Sequence, residues 1–98
     1  MEFEIEPGRL LHRNEQGEID AELIFSVIED GRVWSIDSTN VAVQLRGQGV
    51  AGAMLTQLFE MAQQEHKLLR PVCSYAKKKF FVTPEYQKIE WHDGMPLV

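Results

Sequence analysis

The run Leu45-Arg46-Gly47-Gln48-Gly49-Val50-Ala51-Gly52-Ala53-Met54-Leu55 places three glycines and an arginine where an amphipathic helix begins. The first turn of a helix carries N–H groups with no intrahelical partner, and the aligned peptide dipoles add partial positive charge there. A phosphate is the natural occupant of such a place. Glycine at 47 and 49 would let the backbone approach a ligand closely, since no Cβ stands in the way. The competing reading is an awkward turn whose glycines only relieve packing. Two familiar phosphate loops do not apply. No Gly-Lys-Ser/Thr follows the glycines, and the strands before them read as antiparallel rather than as the start of a βαβ unit.

The other chemically distinctive residue is Cys73, the chain's one cysteine, which excludes an internal disulfide or a multi-cysteine zinc site. His12, His66 and His92 lie too far apart for a local metal motif, so no metal site is expected. Fifteen acidic against ten basic residues give a net charge of −5, which disfavours nucleic acid and anionic membranes as partners. The same balance mildly favours a cationic partner, or serves solubility alone. No apolar run reaches the ~20 residues of a membrane helix. The opening Met1-Glu2-Phe3-Glu4-Ile5-Glu6 has no signal-peptide pattern, so a cytoplasmic protein is expected. A chain of 98 residues suits a single domain, 1–98, with one modest core.

Positioning these residues needs a scaffold, and the first third reads as antiparallel β. Phe3 and Ile5 alternate with glutamates before a Pro7-Gly8 turn, and Gly17 suits a hairpin connection. In residues 21–28, Ala21, Leu23, Phe25 and Val27 point one way and Glu22, Ile24, Ser26 and Ile28 the other. Both faces carry apolar side chains, which predicts a central strand covered at least partly on both sides. Next, Trp34 and Ile36 sit on even positions but Val41 and Val43 on odd ones. Strand side chains alternate strictly, so either an extra residue in Asp37-Ser38-Thr39-Asn40 makes a β-bulge or the strand ends at Asp37. Met54, Leu55, Leu58, Phe59 and Ala62 mark one face of a helix over roughly 48–65. Residues 67–73 read as a short strand that lies at an edge or parts from its neighbour at Pro71. Residues 74–81 read as a short helix with Ser74 near its cap, Thr83-Pro84-Glu85-Tyr86 as a turn, and 92–98 as a tail of uncertain order.

Arg46-Gly47-Gln48-Gly49-Val50-Ala51 fits Arg/Gln-x-x-Gly-x-Gly/Ala and resembles the pyrophosphate signature of the GNAT acyl-CoA N-acetyltransferases. The overlapping register from Gln44 also fits but would start the helix two residues earlier. Residues 72–86, Val-Cys-Ser-Tyr-Ala-Lys-Lys-Lys-Phe-Phe-Val-Thr-Pro-Glu-Tyr, resemble the small single-domain branch of that superfamily, as does Ile36-Asp37-Ser38-Thr39-Asn40-Val41 upstream. Ser38 stands where that branch commonly has histidine. The resemblance covers roughly residues 34 to 87. It implies an α+β (α/β) fold: a mostly antiparallel N-terminal sheet with a bulged strand, the glycine motif, a long helix, a splayed strand and a short C-terminal helix.

The resemblance also implies acetyl-CoA (coenzyme A) as cofactor, lying between the bulged strand and the Pro71 strand. Its pantetheine would pair with backbone at Val41, Ala42 and Val43, as an added strand does. Amides of Gly47, Gln48, Gly49, Val50, Ala51 and Gly52 would hold the pyrophosphate, with Arg46 as a partial counter-charge. Most GNATs follow an asparagine at the strand end, seven residues on, with a tyrosine that protonates the CoA sulfur. Those positions here are Cys73 and Phe80, and phenylalanine has no proton to give. Cys73 is then the candidate, as nucleophile or as acid, against the alternative that it only packs. Thr39, Tyr75, Glu85 and Tyr86 are lesser candidates, and Lys77, Lys78 and Lys79 could reach the CoA 3′-phosphate or simply face solvent. Three functions follow. The first is an N-acetyltransferase acting on an amine, either a small molecule or a lysine. The second is a CoA-binding module with little or no catalysis, and the third is a small α/β interaction domain. Oligomeric state is left open.

Overall fold

The computed structural model describes residues 1–97. Five strands form one sheet in chain order: β1 (Glu4–Glu6), β2 (Arg9–Arg13), β3 (Ile19–Ile28), β4 (Val33–Val41) and β5 (Leu68–Pro71). The first four are antiparallel neighbours and β5 runs parallel to β4. The parallel step needs a crossover, which helix α1 (Val50–Gln64) supplies. Helices α2 (Ser74–Val82) and α3 (Pro84–Gln87) complete the chain's regular elements.

Every buried residue of α1 falls on one stripe: Val50, Met54, Leu55, Leu58, Phe59 and Ala62. That stripe packs with Leu23, Phe25, Trp34, Ile36 and Leu69 from the sheet and with Ala76 and Phe80 from α2. Each fully buried Leu, Phe or Met contributes about 1.5–3 kcal/mol relative to exposure. The helix begins at Val50, two residues later than the apolar pattern predicts, because Gly49 is held left-handed at φ +77° as its cap. It ends where His66 turns left-handed at φ +58°. There His66 N–H donates to Gln63 O and Lys67 N–H to Ala62 O, the paired bonds of a Schellman stop.

The far face of β3 is covered only in part: Asp20 is buried and Glu22 and Ile28 are half-buried, but Ile24 is 38% exposed; Val27, on the face of Phe25, is 57% exposed at the strand's end. The main core lies on one side of the sheet; the other side carries the Arg9–Glu22 ion pair but also buries Leu11, Val33 and Ser35. Helix α2 starts at Ser74, as its pattern predicts, with Cys73 as the capping residue. The segment just before the tail is anchored to the sheet. Leu69 N–H donates to Ile89 O and Trp91 N–H to Leu69 O, so the chain lies along the outer edge of β5, and Trp91 is buried. Val98 lies outside the described residues.

Candidate functional site

The bulge exists and β4 runs on through it. Ile24 faces Ser38 and Phe25 faces Ile36, so Asp37 is the extra residue. On its other side β4 pairs with β5 only as far as Ile36 opposite Pro71. Ile36 O then accepts from both Val72 N–H and Cys73 N–H, and the strands part. Proline has no N–H to continue a ladder, and the turn into α2 carries the chain away. From Asp37 to Val41 no described strand faces β4 on that side.

Ala42 N–H donates to Asp20 O, toward β3. Backbone groups alternate along a strand, so those of Thr39 and Val41 point the opposite way, into the gap. Their side chains share the face of Leu23, toward the helices. At the far end of the gap lies a cleft of about 230 Å³, lined by Val41, Leu45, Arg46, Gly47, Gly49, Val50, Ala51, Gly52 and Tyr75. Gly49 caps α1 without a side-chain bond, so the amides of the first turn have no capping acceptor. Nothing lies within 4 Å of where a Cβ on Gly47 or Gly49 would stand, so the loop faces open space. Gly52 is different: a Cβ there would come within 3.3 Å of the Tyr75 hydroxyl, so glycine sets how closely α2 approaches α1.

The predicted binding residues are thus brought together, with three exceptions. Ala42 spends its backbone internally, since its N–H bonds Asp20 and its C=O accepts from Leu45 N–H. Val43 opens a short 3-10 turn over Val43–Leu45 and is 73% exposed, away from the cleft. Gln48 turns its side chain back, donating to Gln44 O. The strand backbone that faces the gap is therefore that of Thr39 and Val41, of which only Val41 was among the predicted residues. Arg46 lines the cleft, but its Nε donates to Val41 O at 3.2 Å, which ties the loop to the strand end.

Cys73 stands at the opposite lip. Its Sγ accepts from Ala76 N–H at 3.4 Å and lies 3.5 Å from Thr39 Oγ1 across the gap. Phe80, at the position where the resemblance would put an acid, is buried and stacks 5.3 Å from the Tyr86 ring. Tyr86 also contacts Phe59 at 4.7 Å, and its hydroxyl bonds Thr56, so it is a packing residue. Tyr75 is the phenol at the cleft. Burial pushes its pKa up from the ordinary value, and Tyr86 and Cys73 add to the rise. Glu85 pairs with Lys88 instead of facing the gap, and Lys77, Lys78 and Lys79 are exposed on α2.

Asp37 was not singled out by its type, although the change of parity located its segment. Its carboxylate accepts from Ser26 Oγ at 2.6 Å and from Ser35 Oγ at 2.8 Å, on the sheet face opposite α1. Arg70 Nε donates to the same Ser35 Oγ. An extended thioester carrier with a diphosphate needs a strip of unpaired backbone and an amide cradle in line, and these residues fit it. No group of three or more His, Cys, Asp or Glu suited to a metal occurs among the described residues. None of their helices is long and apolar enough to cross a membrane.

The family model described as GCN5-related N-acetyl-transferase matches residues 9–89. No curated protein matches the sequence. Among solved structures, a GCN5-like protein from Staphylococcus aureus superposes with a TM-score of 0.77 at 23% identity, over 92% of this chain and 87% of that one. The GNAT family N-acetyltransferase YhbS from Escherichia coli, solved with CoA, gives 0.62 at 16% identity, over 76% of this chain and 44% of its own. Diaminobutyrate acetyltransferase EctA from Paenibacillus lautus, in complex with L-2,4-diaminobutyric acid and coenzyme A, gives 0.61 at 22%, over 84% and 52%. The chain therefore spans about half the length of the latter two.

Proposed function

The chain belongs to the GCN5-related N-acetyltransferase family, and from that premise we propose that it transfers an acetyl group from acetyl-CoA to an amine. The carrying observation is that gap and cradle are continuous. Val41 ends the unpaired stretch of β4 and lines the same cleft as Val50, Ala51 and Gly52. The CoA complexes of YhbS and EctA support the same cofactor here.

Bound acetyl-CoA supplies an activated acyl carbon on a sulfur leaving group. Backbone N–H and C=O of Thr39 and the N–H of Val41 hold the amide-bearing arm as an added strand would. First-turn amides of α1 hold the diphosphate. Cys73 is the nucleophile. Its sulfur bonds to the acyl carbon as the carbon–sulfur bond to CoA breaks, and the thiol proton goes to CoA. The amine nitrogen then takes the acyl group, the bond to Cys73 breaks, and the nitrogen's proton returns to Cys73. Thr39 Oγ1, within 3.5 Å, orients Sγ across the gap. The phenol of Tyr75 lines the same cleft as the first turn of α1.

Intact-mass measurement after incubation with acetyl-CoA should find one acetyl group, absent in Cys73→Ala. No adduct, together with unchanged turnover in Cys73→Ala, removes the nucleophile role. Burial of Phe80 favours a second reading, CoA binding with little turnover. CoA-induced thermal stabilisation without thiol release across a panel of amines would select it.

A further inference from the structure

We infer a second site, resting on the acetyltransfer reading: a cleft of about 400 Å³ at the end of β5 binds the acceptor, and it takes an amine that also carries a carboxylate. Its walls are Arg70, Pro71, Val72, Lys77, His92 and Asp93. Strand alternation puts Arg70 on the sheet face opposite Leu69 and the α1 core, so this cleft lies across the sheet from that packing.

The wall is pre-arranged. Arg70 Nε donates to Ser35 Oγ at 3.1 Å, and fully buried Ser35 donates to Asp37 at 2.8 Å. The other end of the guanidinium pairs with Asp93 at 2.5 Å. His92 is held by Glu90. Lys77 has no ion-pair or hydrogen-bond partner for its ammonium among the described residues. Among the lining residues Arg70 and Lys77 face one carboxylate, with Asp37 behind Ser35 and Glu90 behind His92. Those carboxylates are each already held by a partner, so the unpaired Lys77 ammonium is the charge that an anion completes.

Position connects the cleft to the chemistry. Val72 lines it, and Val72 and Cys73 share Ile36 O as hydrogen-bond acceptor at the point where the strands part. Lys77 lies one helical turn past Cys73, its N–H donating to Cys73 O. A carboxylate on Lys77 leaves the acceptor's amine directed toward the lip that Cys73 occupies. Simple diamines and polyamines lack the anion and are poor acceptors.

The test compares glycine, β-alanine and γ-aminobutyrate with their carboxamides. NMR titration of the full ¹⁵N-labelled chain, without CoA, should shift the amides of Val72, Lys77, His92 and Asp93 with the carboxylates and at least tenfold more weakly with the amides. In turnover, Lys77→Gln should raise KM for a carboxylate acceptor about tenfold with kcat nearly unchanged, the pattern of lost uniform binding. Equal response to carboxylates and amides, or indifference of both readouts to Lys77→Gln, overturns the inference. Failure of the acetyltransfer reading would show separately, as absence of thiol release from acetyl-CoA in the wild-type chain whatever the acceptor.

Discussion

From Val33 to Ile36, strand β4 is paired on both sides and all four residues are buried; from Asp37 to Val41 it keeps β3, loses β5, and none of its residues is buried. Both halves share one strand, and one inserted residue separates them. In the closed half, backbone groups are spent on the sheet and side chains on the core, so its contribution is stability. In the open half, backbone groups are left over and polar side chains gather at the edges, so its contribution is binding. The division costs little because the parted stretch still pairs with β3 through Val41.

The comparison breaks first if the two halves matter equally to stability. Ile36→Ala, in the closed half, should lower unfolding free energy by about 2–5 kcal/mol in urea melts. Thr39→Ala, in the open half, should stay within about 0.5 kcal/mol of wild type. Activity should show the reverse order. Cys73→Ala should cost roughly 100-fold or more in thiol release from acetyl-CoA while shifting the melt only slightly. A smaller effect sharpens the cradle. Gly49→Ala forces a side chain into the left-handed region, costing about 1–2 kcal/mol, and should weaken CoA-induced stabilisation beyond that loss. Smallest is a pH effect at Tyr75, whose phenol pKa is raised by burial. The raised value means that the stability it contributes is complete below the unfolded pKa of about 10 and fades as pH rises through the folded value. A wild-type minus Tyr75→Phe absorbance titration should place that phenol's midpoint above the ordinary tyrosine value.

Much of this division was legible in residue order. The parity change between Ile36 and Val41 locates a break in phase that a bulge or a strand end would both produce, and the register decides for the bulge; Pro71 reports where a ladder stops. The helix face of α1 followed from its apolar spacing, and its start was missed because Gly49's left-handed cap leaves no polar capping residue to read. How far the second face of β3 is covered was not legible. Alternation tells which residues share a face but not on which side distant helices settle, and Ile24 has the same chemistry wherever it lies. Docking of Glu90 and Trp91 beside β5 is a pairing between segments twenty residues apart, with no local signal. At the site, Cys73 and the glycines stood out by type. Arg70, Ser35 and Asp37 did not, since only the sheet register brings their side chains together.

The most direct test is an NMR titration of the ¹⁵N-labelled chain with CoA. The amides of Thr39, Val41, Val50, Ala51 and Gly52 should shift together and saturate together, while those of Val33 to Ile36 stay at their free positions. Shifts confined to other parts of the chain, or none at saturating CoA, would contradict the division of β4 into a closed half for stability and an open half for the cofactor.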